Sequence, residues 1–306
     1  MAFMLLRRLA QALLILIGVA AITFVLLYAL PADPARMIAG RSATAQTVAS
    51  IRHELGLDQP MLIQFWNYLT GLAQGDLGRS YAQKTEVWTL IVARLPATLT
   101  LMAAGILVEV VLGITFGTIA AVKRGGPVDR LVMMASFVGV SAPQFVVALL
   151  LLYVFAVTLG WFPMSGYGSF AHVVLPATTL GVLGAGWYAR MVRSAMIDVL
   201  NQDYVRTARA KGLSSRRIIF RHALPNAILP IVAMIGIDIG QFMGGVVVVE
   251  AVYGWPGIGQ LAWQAIQQVD IPIIMGVTLT SALAIVAGNL LADIIAPFID
   301  PRIKTS

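Results

Sequence analysis

Long apolar stretches alternate with short polar ones along nearly the whole chain. Apolar runs cover Leu9 to Leu30, Ala97 to Val122, Leu131 to Leu159, Val173 to Ala189, Ile228 to Ala251 and Ile273 to Ala296, each bounded by Pro, Gly or charge. A helix of roughly 20 apolar residues spans the hydrocarbon core and pairs its own backbone polar groups there. The six runs therefore predict an all-α membrane protein with six transmembrane helices. The first run follows Arg7 and Arg8, but it is longer than the apolar core of a secretory signal. It also lacks a small-x-small cleavage site before Pro31, so it reads as a retained span. Pro143 inside the third run predicts a kink or a tilt.

Charge separates the polar segments into two kinds. With six spans and both ends on one side, fifteen of the 21 Lys and Arg residues fall on the same face of the membrane. They lie at the N-terminus, in 123–130 (Lys123, Arg124, Arg130), in 190–227 and at Arg302 and Lys304, whereas 160–172 and 252–272 have none. The excess of cations in cytoplasmic loops then predicts that both termini are cytoplasmic. Segment 31–96 holds the other six basic residues against five acids and is too long for its charge to set topology. It reads as a small external, periplasmic subdomain with a short helix stopped at Gly56 and a second, amphipathic helix over Met61 to Leu72. The expected organisation is a cytoplasmic end and first helix over 1–30 and an external subdomain over 31–94. A five-helix domain follows over 95–296, carrying a cytoplasmic loop at 195–228, and a cytoplasmic tail covers 297–306.

Composition narrows the class further. The chain of 306 residues is 59% hydrophobic and 11% charged, against about a quarter charged in soluble domains. Its net charge of +7 follows from the basic loops and calls for no nucleic acid as partner; the lipid bilayer is the partner it requires. The absence of cysteine excludes disulfides and thiolate metal ligation. His53, His172 and His222 fall in separate segments, so no metal cage is expected. No phosphate-binding loop of the Gly-x-x-x-x-Gly-Lys-Ser/Thr type occurs, and no local motif assembles a nucleophile and base. No catalytic residue is therefore assigned; the chain reads as non-catalytic and is expected to bind no cofactor of its own.

The most informative stretch is DYVRTARAKGLSSRRIIFRHALPNA, residues 203–227. Good helix formers run to Lys211, Gly212 suits a left-handed helix terminus, Ser214 suits the cap of a second helix, and Pro225 is expected to end it. A basic loop anchored to anionic lipid by Arg216, Arg217 and Arg221 would explain the charge. The capped corner with apolar Leu213, Ile218, Ile219 and Phe220 favours docking into a partner's groove. At these residues the chain resembles the peptide and nickel branch of bacterial ABC importer permeases. That branch carries a similar YxRTARAKG segment and a following HALPNA, here His222 to Ala227. Ala208 and Gly212 stand where the broader superfamily's Glu-Ala-Ala-x-x-x-Gly motif wants them, while Arg206 and Thr207 replace its Glu and first Ala. Leu30 to Pro34, Leu55 to Gln59, Gly75 to Gly78, EAVYGWPGIGQL at Glu250 to Leu261 and the terminal Asp300-Pro301-Arg302 extend the resemblance. Trp255 within it is also expected as an interfacial anchor.

The resemblance implies a type I ABC importer membrane domain over 95–296, preceded by the extra helix and external subdomain. It also implies that Arg206, Thr207, Ala208, Gly212, Leu213, Ser214, Ser215, Arg216, Arg217 and Phe220 form the loop that couples to an ATPase. The implied partners are a second homologous permease, two ATP-binding subunits that hold ATP and Mg, and an external substrate-binding protein delivering short peptides. Nickel or glutathione is the alternative cargo. From another class, an ion-coupled secondary transporter would use intramembrane acids as proton relays, and an intramembrane enzyme or scaffold would need no ATPase.

Ionisable groups inside spans are costly and need explanation. Asp238, Gln241, Glu250 and Asp293 are the candidates for the translocation path. Asp238, Gln241 and Gly245 share a helix face, while Gly236, Gly240 and Gly244 form a packing stripe. Asp238 either borders the path, meeting a peptide's amino terminus, or makes a structural hydrogen bond to another span. Glu109 is expected to have a buried partner, because Gly105, Gly113 and Gly117 beside it suggest close helix packing.

Overall fold

In a computed structural model, residues 2–28, 34–40, 43–244 and 246–299 are described, with backbone alone for 2–6, 9, 27, 28, 37 and 291–299. Leu30 to Asp33, Gly245 and Asp300 to Arg302 lie outside the described residues, as does the side chain of Asp293. The helices are α1 (Ala2–Tyr28), α2 (Pro34–Ala39), α3 (Ala45–Glu54), α4 (Met61–Ala73), α5 (Val87–Val122), α6 (Pro127–Ser141) and α7 (Gln144–Leu151). They continue with α8 (Phe170–Leu200), α9 (Asp203–Ala210), α10 (Ser215–Arg217), α11 (Leu224–Ala227), α12 (Leu229–Met243), α13 (Val247–Val252), α14 (Ile258–Gln268) and α15 (Ile271–Ile299). Wider π-helical turns follow α7 over Leu152–Thr158 and α10 over Ile218–Ala223. Among the described residues there is no strand, only an isolated antiparallel bridge between Arg79 and Glu86.

Three helices are long and apolar enough to cross a membrane: α5, α8 and the Ile271–Leu290 part of α15. Two bent pairs qualify if each counts as one span, and Ala10–Leu26 is a shorter apolar helix. The all-α membrane architecture that the apolar runs predict is present, with three to five spans among the described residues and the shorter helix Ala10–Leu26 at the first of the six runs. The third run bends at the expected proline, and sharply: the chain turns by 105° between α6 and the helix that follows. Ala142 and Pro143 are both extended, because the proline ring keeps the preceding residue out of the helical region. The fifth run is likewise interrupted, since α12 stops at Met243 and α13 resumes at Val247. Helix α8 runs well past Ala189, so Arg190 and Arg193 belong to a helix and not to a loop.

The chain divides into two compact units. The first comprises Met1–Thr98, Met243–Val247 and Pro256–Val286. Here Thr44 Oγ1 caps α3 by accepting from Thr47 N at 3.2 Å. The same helix ends as expected at Gly56, whose φ is +65°. Gly56 N donates to His53 O and Leu57 N to Arg52 O at 3.0 and 2.9 Å, a Schellman termination. Phe24 of α1 packs on Phe65 and Tyr68 of α4, with ring centroids 5.3 and 6.1 Å apart. Gly276 of α15 leaves room for Val87 and Ile91 of α5, since a Cβ there would meet Val87 at 2.5 Å.

A buried carboxylate organises the polar part of this unit. Asp270, at the start of α15, accepts from Ser80 Oγ at 2.5 Å, Ala82 N at 3.0 Å and Tyr81 N at 3.2 Å. Burial and the neighbouring Asp270 charge push the Tyr81 phenol up to about 12. Val269 takes the left-handed conformation, φ +51°, so that Asp270 N can reach Ala265 O at 2.8 Å. A β-branched residue pays strain at such a position, and this one sets the corner that aims Asp270 at the 80–82 turn.

The second unit comprises Leu99–Phe242, Val248–Trp255 and Ala287–Ser306. The Gly stripe of α5 does what its spacing suggests. A Cβ on Gly113 would collide with Tyr188, and one on Gly117 would lie 2.6 Å from Ala189 O, both on α8. Helix α6 also packs on α8, where a Cβ on Gly186 would lie 2.5 Å from Ser136 O. At one end of this pair Asp129 Oδ1 accepts from Arg193 Nε at 2.6 Å and Oδ2 from Arg193 Nη2 at 2.7 Å. Asp129 Oδ2 also accepts from Gly125 N at 2.8 Å. Trp255 corrects its expected role as an interfacial anchor: it is fully buried, edge-on to Tyr167 at 4.9 Å. Nearby, Tyr253 OH donates to Ala148 O at 3.0 Å and lies 2.9 Å from Thr179 Oγ1.

Candidate functional site

The 203–227 corner is built by a second Schellman termination. Gly212 has φ +75°; its N donates to Arg209 O at 2.9 Å and Leu213 N to Ala208 O at 3.3 Å. Leu213 then folds back on a small core of Val205, Ala208 and Ile218, so backbone geometry and an apolar contact fix the corner together. No heavy atom lies within 4 Å of a Cβ placed on Gly212; the demand for glycine there comes from φ alone.

Two expectations about the second arm are corrected. Ser214 has the extended backbone of a cap but makes no side-chain cap bond. Pro225 does not end the helix, which continues through α11 to Ala227. The π-helical turn over Ile218–Ala223 opens the backbone just before a proline that can neither donate nor tolerate a close carbonyl one turn back. Asn226 Nδ2 donates to His222 O at 2.8 Å and satisfies a carbonyl at this break. The small residues of HALPNA explain themselves by packing: Ala223 and Ala227 are buried against Val192 and Met196 of α8.

Exposure divides the expected coupling residues. Arg206, Thr207, Gly212, Ser214, Ser215, Arg216, Arg217 and Phe220 lie on the surface, with Phe220 59% exposed. Ala208 is buried and Leu213 half-buried, so these two shape the corner and do not present it. Arg206 lies 3.7 Å from Asp203 in an exposed pair, and Thr207 Oγ1 donates to Asp203 O at 3.0 Å. The exposed residues of the corner thus combine arginines with one phenyl ring.

In the spans, three helices bring polar groups to one place. Tyr188 OH of α8 donates to Asp238 Oδ2 of α12, and the Glu109 carboxyl of α5 lies within electrostatic reach of Asp238. Gly184 of α8 lacks the Cβ that would strike the Glu109 carboxyl. The polar neighbour that Glu109 meets in the interior is Asp238, which is itself only half-buried. Gln241 is exposed and Asp238 half-buried, so this face of α12 offers polar groups outward. Gly236 and Gly240 are buried, but Gly244 of the same expected stripe is exposed. Glu250 is fully buried and presents no surface to a solute, at odds with its expected place on the path. Asp293 cannot be placed with these groups, since its side chain lies outside the described residues.

Tyr188, Asp129, Arg193 and Asp270 were not singled out by the sequence pattern. Tyr188 lies between Ala185 and Val192 in an apolar run, where nothing distinguishes a hydrogen-bonding tyrosine from a packing one. The only available signal for Asp129 and Arg193 was an acid among basic residues facing a basic stretch that proves helical.

Comparison with known proteins is consistent along the full length. Residues 113–305 match the family of binding-protein-dependent transport system inner membrane components, and residues 1–102 match the N-terminal family of the same system. The chain is 41% identical over 299 residues to the glutathione transport system permease protein GsiC of Salmonella typhimurium, covering 98% of each. It is 41% identical over 286 residues to the protein of that name from Escherichia coli K12, covering 94% of each. A structure of the inward-facing MetNI methionine ABC transporter superposes with a TM-score of 0.56 at 21% identity, over 69% of this chain and 97% of that one.

Proposed function

This chain belongs to the family of binding-protein-dependent transport inner membrane components, a permease family of ABC importers, and on that premise we propose that it is one of two permease subunits enclosing a path for short peptides of the size of glutathione. The second subunit is a homologous permease. Two separate ATPase subunits bind ATP and Mg, and an external binding protein delivers the cargo. Both termini and the 203–227 corner are cytoplasmic, in keeping with the distribution of basic residues. The observation that carries this reading is the corner itself: a rigid, doubly fixed turn exposing Phe220 together with Arg206, Arg216 and Arg217 suits a groove on an ATPase. The peptide cargo is supported by the 41% identity to permeases named for glutathione transport.

The packing also supplies a route for coupling. The cluster beneath the corner joins Ala223, Ala227 and Ile231 to Val192, Met196 and Tyr188, and the Tyr188 hydroxyl holds Asp238. When the ATPases close on ATP they press the corners of both permeases together; α8 transmits the shift, and Tyr188 and Asp238 move with it. The half-buried Asp238 carboxylate then meets the amino group of an incoming peptide.

Gly212→Val tests the corner. Only φ opposes the new side chain, and a β-branched residue in the left-handed region costs about 1–2 kcal/mol. That is enough to open the corner without unfolding the chain. In the reconstituted transporter the variant should insert normally and retain basal ATP hydrolysis but lose at least tenfold in peptide transport; normal coupled transport would refute the docking role. Asp238→Asn tests the path: uptake of peptides with a free amino terminus should fall at least fivefold, with N-acetylated analogues unaffected. Equal uptake of all substrates would assign Asp238 to span packing alone. Transport that survived loss of the ATP-binding subunits would return the ion-coupled alternative, with Glu109 and Asp238 as the relay.

A further inference from the structure

The first compact unit contains a cleft of about 840 Å³ to which the transport reading assigns no role. Its floor is apolar and belongs to membrane-crossing elements: Phe24 lies near the end of the apolar stretch of α1, and Ile271, Pro272 and Met275 open the span of α15. Leu55, Leu57 and Leu77 continue this surface away from the spans. The cleft therefore adjoins the ends of two apolar helices on one side and polar residues of the 31–96 segment on the other.

Its polar lining is unbalanced in charge. Arg52, Arg79 and Lys84 border it, against the single acid Asp76, and that acid already accepts from Gly78 N at 2.7 Å. Two of the cations, Arg79 and Lys84, are held in place by backbone geometry. Lys84 adopts the left-handed conformation, φ +54°, and Lys84 O accepts from Arg79 Nε at 2.8 Å, which clips the two together. A lysine in that region is strained, and such strain recurs at sites where a side chain must be aimed. Tyr68 lines the same cleft, stacked on Phe24. Its hydroxyl is buried without a hydrogen-bond partner among the described residues, an arrangement that costs free energy unless a ligand supplies an acceptor.

We propose that this cleft binds one anionic phospholipid from the adjoining leaflet. Its phosphate lies among Arg52, Arg79 and Lys84, a glycerol ester oxygen accepts from Tyr68 OH, and the start of an acyl chain lies over Phe24, Pro272 and Met275. The occupant is a lipid and not a soluble anion because the apolar floor is continuous with the spans. A free phosphate would leave that floor unused. The cleft is large enough for a headgroup, glycerol and part of one chain, by comparison with ligand pockets of roughly 300–1,000 Å³.

The test uses the full chain in its assembled transporter, purified in mild detergent from mixed vesicles of phosphatidylglycerol and phosphatidylcholine. Lipid that copurifies is quantified by mass spectrometry. Phosphatidylglycerol should be enriched at least fivefold over phosphatidylcholine, and Arg52→Gln with Lys84→Gln should reduce this to within twofold. Tyr68→Phe, which keeps the ring and its packing, should lower it about threefold and decides the matter if the double variant does not assemble. Arg36→Gln removes an exposed charge outside the cleft and should change nothing. Equal retention of both lipids, an unchanged enrichment in the cleft variants, or an equal fall with Arg36→Gln would overturn the proposal. So would protection from thermal unfolding by glycerol 3-phosphate as strong as that by phosphatidylglycerol.

Discussion

Asp270→Ala should lower the stability of the chain by about 3–4 kcal/mol, because the Ser80 hydroxyl and two backbone N–H groups lose their acceptor inside the first unit and each orphaned donor costs about 1–3 kcal/mol. The low end of that sum applies, since Tyr81 N and Ala82 N are only partly buried. The measurement is the unfolding midpoint of the detergent-solubilised chain. Asp270→Asn keeps one carbonyl acceptor and should cost roughly half as much. It also removes the charge that, after burial, holds the Tyr81 phenol up at about 12, so the phenol should ionise at lower pH in an ultraviolet titration. The sign follows from linkage. A phenol whose folded pKa exceeds its unfolded value of about 10 contributes stability that is complete below pH 10 and is lost as pH rises through 12. Wild-type stability should fall across that window, and less steeply in Asp270→Asn. A stability unchanged by Asp270→Ala would show that the 80–82 turn is held by packing alone.

Asp129→Ala should cost about 3 kcal/mol, because it strands the Arg193 guanidinium against α6 and deprives Gly125 N of its acceptor. The figure lies at the low end for broken buried pairs because Arg193 retains 27% exposure and can reach water. Arg193→Lys should recover little, since one ammonium cannot reproduce two parallel N–H bonds to a carboxylate. Replacing both partners with leucine and methionine should restore most of the loss, because the penalty belongs to the unpaired charge and not to the missing attraction. A double variant as unstable as Asp129→Ala would contradict that account. Basal ATP hydrolysis by the assembled transporter, followed beside the melting curve, separates loss of assembly from loss of the α6 and α8 contact.

Both predictions concern residues that no linear pattern marks. A carboxylate that anchors a turn 190 residues away along the chain looks like any loop acid, and Arg193 looks like one more cation beyond a span. Glu109 is an intermediate case. The glycines around it announced close packing and a partner, but that the polar neighbour it meets is another acid, Asp238, with Tyr188 as a third member, depended on three helices meeting. Trp255 and Glu250 show the opposite error. An aromatic at a membrane boundary and an acid in an apolar run each have a usual meaning, yet here both are fully buried.

What the sequence determined by itself rests on rules that act within a few residues or on the sum of many. Hydropathy decided that the chain is a multi-pass helical membrane protein, because backbone groups in lipid must be paired within each segment. Glycine at the end of a run of helix formers located the left-handed corners at Gly56 and Gly212, because only the local backbone is involved. Tertiary structure alone decided the 105° turn at Pro143, the continuation of the helix past Pro225, and which polar side chains meet. A proline permits a bend without setting its angle, and a buried polar group requires a partner without naming it. Those choices belong to the packing of α5, α6, α8 and α12, where side chains distant in sequence become neighbours.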